Sequence, residues 1–216
     1  MKKTVVLVSG YKRSGKDYFA DYVKKTMQET NPEIMSFADP MKTIMAMTLG
    51  ITNADLETYK NNPDEYGIEL KVYPNNQPSG VIEYRNYRQI LQVFGTEAMK
   101  PIFGDDVWAR TLKNKALNFD FVIVPDWRFL IEHQVWDETW NVVTVRIQGG
   151  EESNSHKSET ELLGFEFDYV INNTKKDEQS IEQFKFFVGE LKERLENNTI
   201  SITKNGWEGS YISYRG

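Results

Sequence analysis

The apolar positions of this chain fall into short runs separated by helical stripes. Thr4–Ser9 is a continuous, β-branched run closed by Gly10, the pattern of a strand buried on both faces. From Lys16 the period changes. Phe19, Val23 and Met27 recur every four residues with Ala20 beside them, which predicts a helix stopped at Asn31-Pro32. Glu33–Phe37 predicts a second strand. A helix follows to Leu49, with Asp39 as N-cap, Pro40 at its first position and Gly50 at its end. Residues 84–100 and 105–117 predict helices, Phe119–Val124 an interior strand, 129–138 a helix and Val142–Ile147 a fourth strand. A short helix and a fifth strand, Asp168–Ile171, come next. Over 178–196, Ile181, Phe184, Val188, Leu191 and Leu195 form one stripe, which reads as a helix packed on a sheet ahead of a homodimer seam.

Two segments break this rhythm. Residues 51–82 carry Asn61-Asn62-Pro63, Pro74-Asn75-Asn76-Gln77-Pro78 and Ser79-Gly80, turn chemistry that predicts an inserted, lid-like excursion and not a second domain. Thr199–Tyr214 alternates enough for a terminal hairpin around Asn205-Gly206 or Gly209. Elsewhere strand and helix alternate. That predicts an α/β fold, a mostly parallel five-stranded sheet with helices on both faces, formed by one domain over 1–198 with a tail at 199–216.

Composition narrows the class. At 216 residues the chain suits one domain, and 39% hydrophobic with 27% charged residues is ordinary for a soluble protein. No apolar run approaches the roughly 20 residues a bilayer requires, and no leader with a cleavage site follows Met1-Lys2-Lys3, so no membrane partner is expected. The absence of cysteine excludes disulfides, thiolate metal sites and cysteine nucleophiles, and fits the cytoplasm. A net charge of −6 opposes general duplex binding, so no direct nucleic-acid partner is expected. His133 and His156 are too far apart in sequence to suggest a histidine metal site.

The strongest motif is Gly10-Tyr11-Lys12-Arg13-Ser14-Gly15-Lys16-Asp17, a G-x-x-x-x-G-K loop placed after the first strand and before the first helix. Such a loop turns successive backbone N–H groups inward as a nest for phosphate oxygens, and the helix adds its positive end. Lys16 supplies a mobile positive charge for β- and γ-phosphates. The next residue is Asp17 where Ser or Thr is usual. Its carboxylate suits Mg²⁺, directly or through water, or else it merely stabilises the helix start.

Three further clusters suit a second ligand. In Phe37-Ala38-Asp39-Pro40-Met41-Lys42, Asp39 and Lys42 follow a strand and can reach a ligand beyond its carboxyl end; alternatively they are an N-cap and a solvent-facing ammonium. Arg88 and Gln92 share a helix face within Tyr87–Glu97, arginine suited to a phosphate and glutamine to a base edge, with Leu91 inward. Trp108 either stacks on a base or fills core. In Val124-Pro125-Asp126-Trp127-Arg128, Asp126 lies just past an apolar strand and Arg128 can meet transferring phosphate charge. Glu132 follows one turn on, with an Arg128–Glu132 surface pair as the plainer reading.

At these residues the sequence resembles the deoxynucleoside monophosphate kinases of large tailed phages. The likeness rests on Ser9–Asp17, Arg88–Glu97, Trp108, Val124–Arg128 with Glu132, and His156, Ser158 and Glu159 ahead of the Asp168–Asn172 strand. It spans about residues 4–175 and leaves out 51–82 and the tail. Asp after the loop lysine agrees with the family; Tyr18 stands where Thr is frequent. The resemblance implies a P-loop kinase fold, ATP and Mg²⁺ as cofactors, and a deoxynucleoside monophosphate (dNMP) acceptor, supplying precursors for phage DNA synthesis in the host cytoplasm. Arg13, Gly15, Lys16 and Asp17 would then serve ATP, with Asp17 on the metal and the acceptor as the alternative contact of Arg13; Lys12, Ser14 and Tyr18 of the same loop complete the expected ATP site. Ala38, Asp39, Lys42, Arg88, Gln92, Gly95, Thr96, Trp108, Asp126, Arg128 and Glu132 would line the acceptor site. Lys16, Arg128, Arg13 and Asp126 would act on the transfer itself. The preference for a deoxy sugar rests on the resemblance alone.

The polar 148–158 loop, with Arg146 at its base, and the 51–82 insertion are the lid candidates. The rival readings are a P-loop kinase for another small acceptor such as dephospho-coenzyme A, and an ATP-binding regulatory or assembly protein without an acceptor.

Overall fold

The computed structural model describes residues 2–72, 81–150, 161–197 and 212–213. In chain order the elements are β1 (Lys3–Gly10), α1 (Lys16–Thr26), β2 (Glu33–Ile34), α2 (Asp39–Leu49), α3 (Asn53–Asn61), β3 (Gly67–Val72), β4 (Val81–Asn86) and α4 (Tyr87–Gln92). After a π-helical turn at Val93–Ala98 come α5 (Met99–Phe103), α6 (Val107–Ala116), β5 (Phe121–Val124), α7 (Leu130–Gln134), β6 (Trp140–Gln148), β7 (Tyr169–Asn172), α8 (Glu178–Asn197) and β8 (Ile212–Ser213). The chain packs as two compact units. One is Met1–Phe37 with Leu112–Gly216, and the other is Ala38–Thr111.

The first unit is an α/β layer structure. Its sheet runs β2-β5-β1-β6-β7-β8, parallel through β7, with β8 antiparallel at the edge. Thr4–Ser9 are all buried, so both faces of the central strand are covered, as its unbroken apolar run requires. β1 pairs with β5 from Thr4↔Phe121 to Leu7↔Val124 and with β6 from Lys3↔Trp140 to Gly10↔Ile147. On one face Val6, Val8, Val143, Val145 and Ile147 meet Phe19 and Val23 of α1 and Phe184, Phe187, Val188 and Leu191 of α8. The α8 stripe is therefore spent on the sheet. Among the described residues no helix is long and apolar enough to cross a membrane.

Several element boundaries differ from expectation, each for a local reason. β2 stops at Ile34 because, after Met35 donates to Ile123 O, the chain is taken by Asp126: Ser36 Oγ and Phe37 N both donate to its carboxylate. Ala38, and not Asp39, is the N-cap of α2 and gives it no side-chain cap bond; Asp39 is the first residue of the helix. The helix predicted over 84–100 begins only at Tyr87, because Asn86 and Gln89 form a reciprocal capping box (Gln89 N to Asn86 Oδ1, 3.0 Å; Asn86 N to Gln89 Oε1, 3.0 Å). Residues 84–86 instead complete β4, where the Tyr84 ring covers Gly67 of β3. The helix predicted over 129–138 is only α7. Residues 161–164 form a turn, not a helix. The tail turn at Asn205-Gly206 lies outside the described residues; Ile212–Ser213 supply β8.

The second unit contains α2, α3, the β3–β4 hairpin and α4. Met45, Ala46, Leu56, Tyr87, Ile90 and Leu91 form its core. The insertion expected at 51–82 belongs to it, with α3 started by a Thr52–Asp55 capping box; residues 73–80 lie outside the described residues.

In the first unit, His133 packs against Trp127 and Phe165 (ring centroids 5.8 Å and 5.3 Å away). Burial pushes its imidazole below the ordinary histidine pKa, against a weaker upward pull from the Asp168 carboxylate. The unfolded chain takes up this proton at the ordinary value and the folded chain only at a lower one. Within that window the unfolded state holds more protons, so stability falls with falling pH. Acidification from about pH 7.5 to about pH 5.5 is expected to lower the Tm of the native chain more than that of His133→Phe, which keeps the ring packing. Equal shifts in thermal melts would remove His133 as the source.

Candidate functional site

The loop between β1 and α1 lies at the carboxyl end of the central parallel strand, where open α/β sheets bind ligands. Its shape depends on two left-handed residues, Arg13 (φ 62°) and Gly15 (φ 97°). A non-glycine residue there costs on the order of 1–3 kcal/mol, so Arg13 is held by its surroundings. Ser14 N donates to Tyr11 O (3.2 Å), and Gly15 O accepts from Phe19 N (2.9 Å) as α1 begins.

Neighbouring loops press on this turn. The Asn173 side chain, buried just past β7, donates from Nδ2 to Ser14 O at 2.7 Å. A Cβ added to Gly15 would fall 2.3 Å from that same nitrogen. A Cβ on Gly150, past β6, would fall 2.3 Å from Lys12 O and 2.6 Å from Ser14 N. The cradle is thus packed backbone to backbone. Ser14 Oγ is fully buried and makes no hydrogen bond among the described residues, a state that a buried hydroxyl rarely keeps without water or ligand.

Lys16 is half-buried. Its Nζ donates to Gly10 O (2.6 Å) and Tyr11 O (2.7 Å), so the ammonium lies across the loop's own carbonyls. Lys12, Arg13, Asp17 and Tyr18 are exposed. Asp17 is in the first turn of α1, where a carboxylate complements the helix dipole and stays available to a hard cation.

The end of β5 brings a second group to the same edge of the sheet. Trp127 N donates to Val8 O (3.2 Å), tying the turn to β1, and Trp127 itself is buried. Asp126 is committed to Ser36 Oγ and to Phe37 N (3.0 Å), so it fixes the segment that leaves the first unit. Glu132 Oε2 accepts from Arg128 N (2.8 Å) and Phe129 N (3.0 Å) and so caps α7. Its contact with Arg128 is thus to the backbone N–H. Arg128 is exposed.

In the second unit Arg88 and Gln92 are exposed on one side of α4 while Ile90 and Leu91 are buried, the division the spacing predicted. Trp108 is half-buried and its indole N–H donates to Gly95 O (2.9 Å) within the π-helical turn, with Phe94 beside it. Gly95 is buried against Met41, where a Cβ would come 2.2 Å from the sulfur. Thr96 is exposed. Lys42 lies 2.7 Å from Glu57 Oε1 and 3.9 Å from Asp39 Oδ1, and Lys60 takes the other Glu57 oxygen. Burial pushes the Glu57 carboxyl upward, but its hydrogen bonds from Lys42 and Lys60 prevail and hold it below the usual range. Ala38 is half-buried at the start of α2. The expected site residues therefore divide between the units, and His156, Ser158 and Glu159 lie outside the described residues.

The sequence reading missed Asn173 and Ser36, and placed Arg146 only at the base of a lid candidate. For Asn173 a signal existed: a polar pair, Asn172-Asn173, at the carboxyl end of a buried strand. Arg146 interrupts an apolar strand at the register partner of Ser9, which also marks it.

No protein-family model matches this chain, and no curated protein matches it. Among solved structures, one from Chloroflexus aurantiacus J-10-fl, described as a "putative kinase", aligns over 92% of this chain and 100% of its own length at 12% identity, with a TM-score of 0.46.

Proposed function

We propose that this chain is an ATP-dependent deoxynucleoside monophosphate kinase, catalysing ATP + dNMP = ADP + dNDP. The observation that carries the reading is the cradle at Gly10–Lys16, its two left-handed residues and its lysine set at the carboxyl end of β1. A backbone nest at a helix start, with an ammonium beside it, suits a polyphosphate. The choice of acceptor rests on the motif resemblance at Arg88–Glu97 and Val124–Arg128.

An oxygen of the acceptor phosphate attacks the γ-phosphorus in line, and the bond to the β,γ-bridging oxygen breaks as ADP leaves. The attacking oxygen is already ionised near neutral pH, so no strong general base is needed. Positioning and charge neutralisation then do most of the catalysis. Lys16 and the loop N–H groups hold the β- and γ-phosphates. Arg128, with Arg13, meets the charge that develops on the moving phosphoryl group. Arg88 holds the acceptor phosphate as a fork, and Gln92 on the same face meets the base. Asp126 acts by fixing Ser36 and Phe37, and Glu132 by capping α7.

The donor set fits Mg²⁺ shared with phosphate. Asp17 offers hard oxygens beside Lys16, and no group of three or more His, Cys, Asp or Glu among the described residues forms a protein cage. When bound, the ion would supply positive charge that offsets the polyphosphate; Asp17 would hold it, directly or through water.

A coupled ADP-release assay across deoxy- and ribonucleoside monophosphates tests the proposal. The expected result is release that depends on a dNMP. Release that requires dephospho-coenzyme A, or that proceeds equally without any acceptor, would overturn it.

A further inference from the structure

Arg146 is a charged residue in a strand whose neighbours Val145 and Ile147 are fully buried, and the proposed reaction gives it no role. It stands opposite Ser9 in the β1–β6 register, and its Nη1 donates to Ser9 Oγ at 2.9 Å. Its guanidinium lies 4.7 Å from the Tyr11 ring centroid and 5.9 Å from that of the buried Phe167. An arginine over an aromatic face is held by the ring quadrupole and by stacking, and a tether at one nitrogen sets its angle.

Tyr11 is the hub of the phosphate loop. Its carbonyl accepts both the Lys16 ammonium (2.7 Å) and Ser14 N (3.2 Å). A Tyr11 ring held from outside restrains the backbone that carries this carbonyl, and through it the resting place of the lysine and the turn at Ser14. We infer that Arg146 is a positioning residue for nucleotide binding: by clamping the Tyr11 ring against β6 it holds the Gly10–Lys16 loop in the shape that receives phosphate. This rests on the reading of the loop as the ATP phosphate site, and it does not depend on which acceptor is used.

The test is titration calorimetry of the full chain with ATP and with inorganic tripolyphosphate, alongside thermal melts. Arg146→Met, similar in length and uncharged, and Tyr11→Leu are each expected to weaken ATP binding about tenfold. The double variant should be no weaker than the poorer single one, because both remove one clamp. Tyr11→Phe keeps the ring and should stay within about threefold of the native affinity. Should Arg146→Met fail to fold, Arg146→Lys, which keeps the charge but loses the planar face, replaces it in the same cycle. Additive losses, about a hundredfold in the double variant, would overturn the inference in favour of direct ligand contact by Arg146. A lowered Tm with unchanged affinity would overturn it in favour of a packing role. If the native chain binds neither ATP nor tripolyphosphate, this inference and the proposed function both fall. If it binds ATP but phosphorylates no dNMP, only the acceptor assignment falls and the cycle still decides the role of Arg146.

Discussion

Lys16→Ala is expected to lower kcat for phosphoryl transfer by about 10³-fold or more while leaving the fold intact. The ammonium rests on the Gly10 and Tyr11 carbonyls, at 2.6 and 2.7 Å, and on the proposed reading it would exchange those oxygens for phosphate oxygens when a nucleotide binds. That exchange would swap neutral acceptors for anionic ones, adding ion-pair attraction to bonds that the ammonium already makes charge-assisted. Structure loses little. The core face of α1 is Phe19, Ala20 and Val23, none of which the substitution touches, and alanine is the best helix former. The substitution also removes the ammonium's two charge-assisted hydrogen bonds, of about 1.5–3 kcal/mol each, part of which solvent replaces at this half-buried site. Saturating coupled assays and thermal melts on the same preparation check both halves. Near-normal turnover by a folded variant would reject the phosphate-loop assignment.

The parts of the fold that could be read from the sequence are those in which one local rule acts alone. β1, β5 and β6 are apolar runs too short for helices, and the glycine-flanked loop had to lie between the first strand and the first helix. Reading failed where a distant partner decides the outcome. β2 is cut short by Asp126, ninety residues further on from Ser36. The start of α4 turns on a side chain, Asn86, that caps the helix and ends the strand before it. At the site, motif spacing named Lys16 and Arg88 but not Asn173, which grips the loop from 159 residues away. Such long-range supports have no periodicity, so only the folded chain displays them. Asp126 and Glu132 illustrate the converse. Asp126 stands out by its position after a strand and Glu132 by lying one turn beyond Arg128, yet both spend carboxylate oxygens on backbone N–H groups, so on the proposed reading their effect on a ligand runs through the segments they fix.

Arg88→Ala is expected to raise KM for the dNMP about 10²-fold with little change in KM for ATP, because a bidentate arginine–phosphate pair contributes two charge-assisted hydrogen bonds of about 1.5–3 kcal/mol each, part of which solvent replaces. The site of the change is favourable for a clean test. Arg88 is exposed on α4, and the residues that anchor this helix are Tyr87, Ile90 and Leu91, with the Asn86–Gln89 box at its start. Truncation at 88 removes none of these, so a loss of activity cannot be charged to unfolding of the second unit. Arg88→Lys provides the second arm: it keeps the charge but not the fork, and should recover only part of the loss. Initial-rate kinetics with each substrate varied in turn separate the two affinities. A variant that lost ATP affinity alone would place Arg88 on the donor side, and the acceptor would then have to be held by Arg128 or by other residues of the first unit.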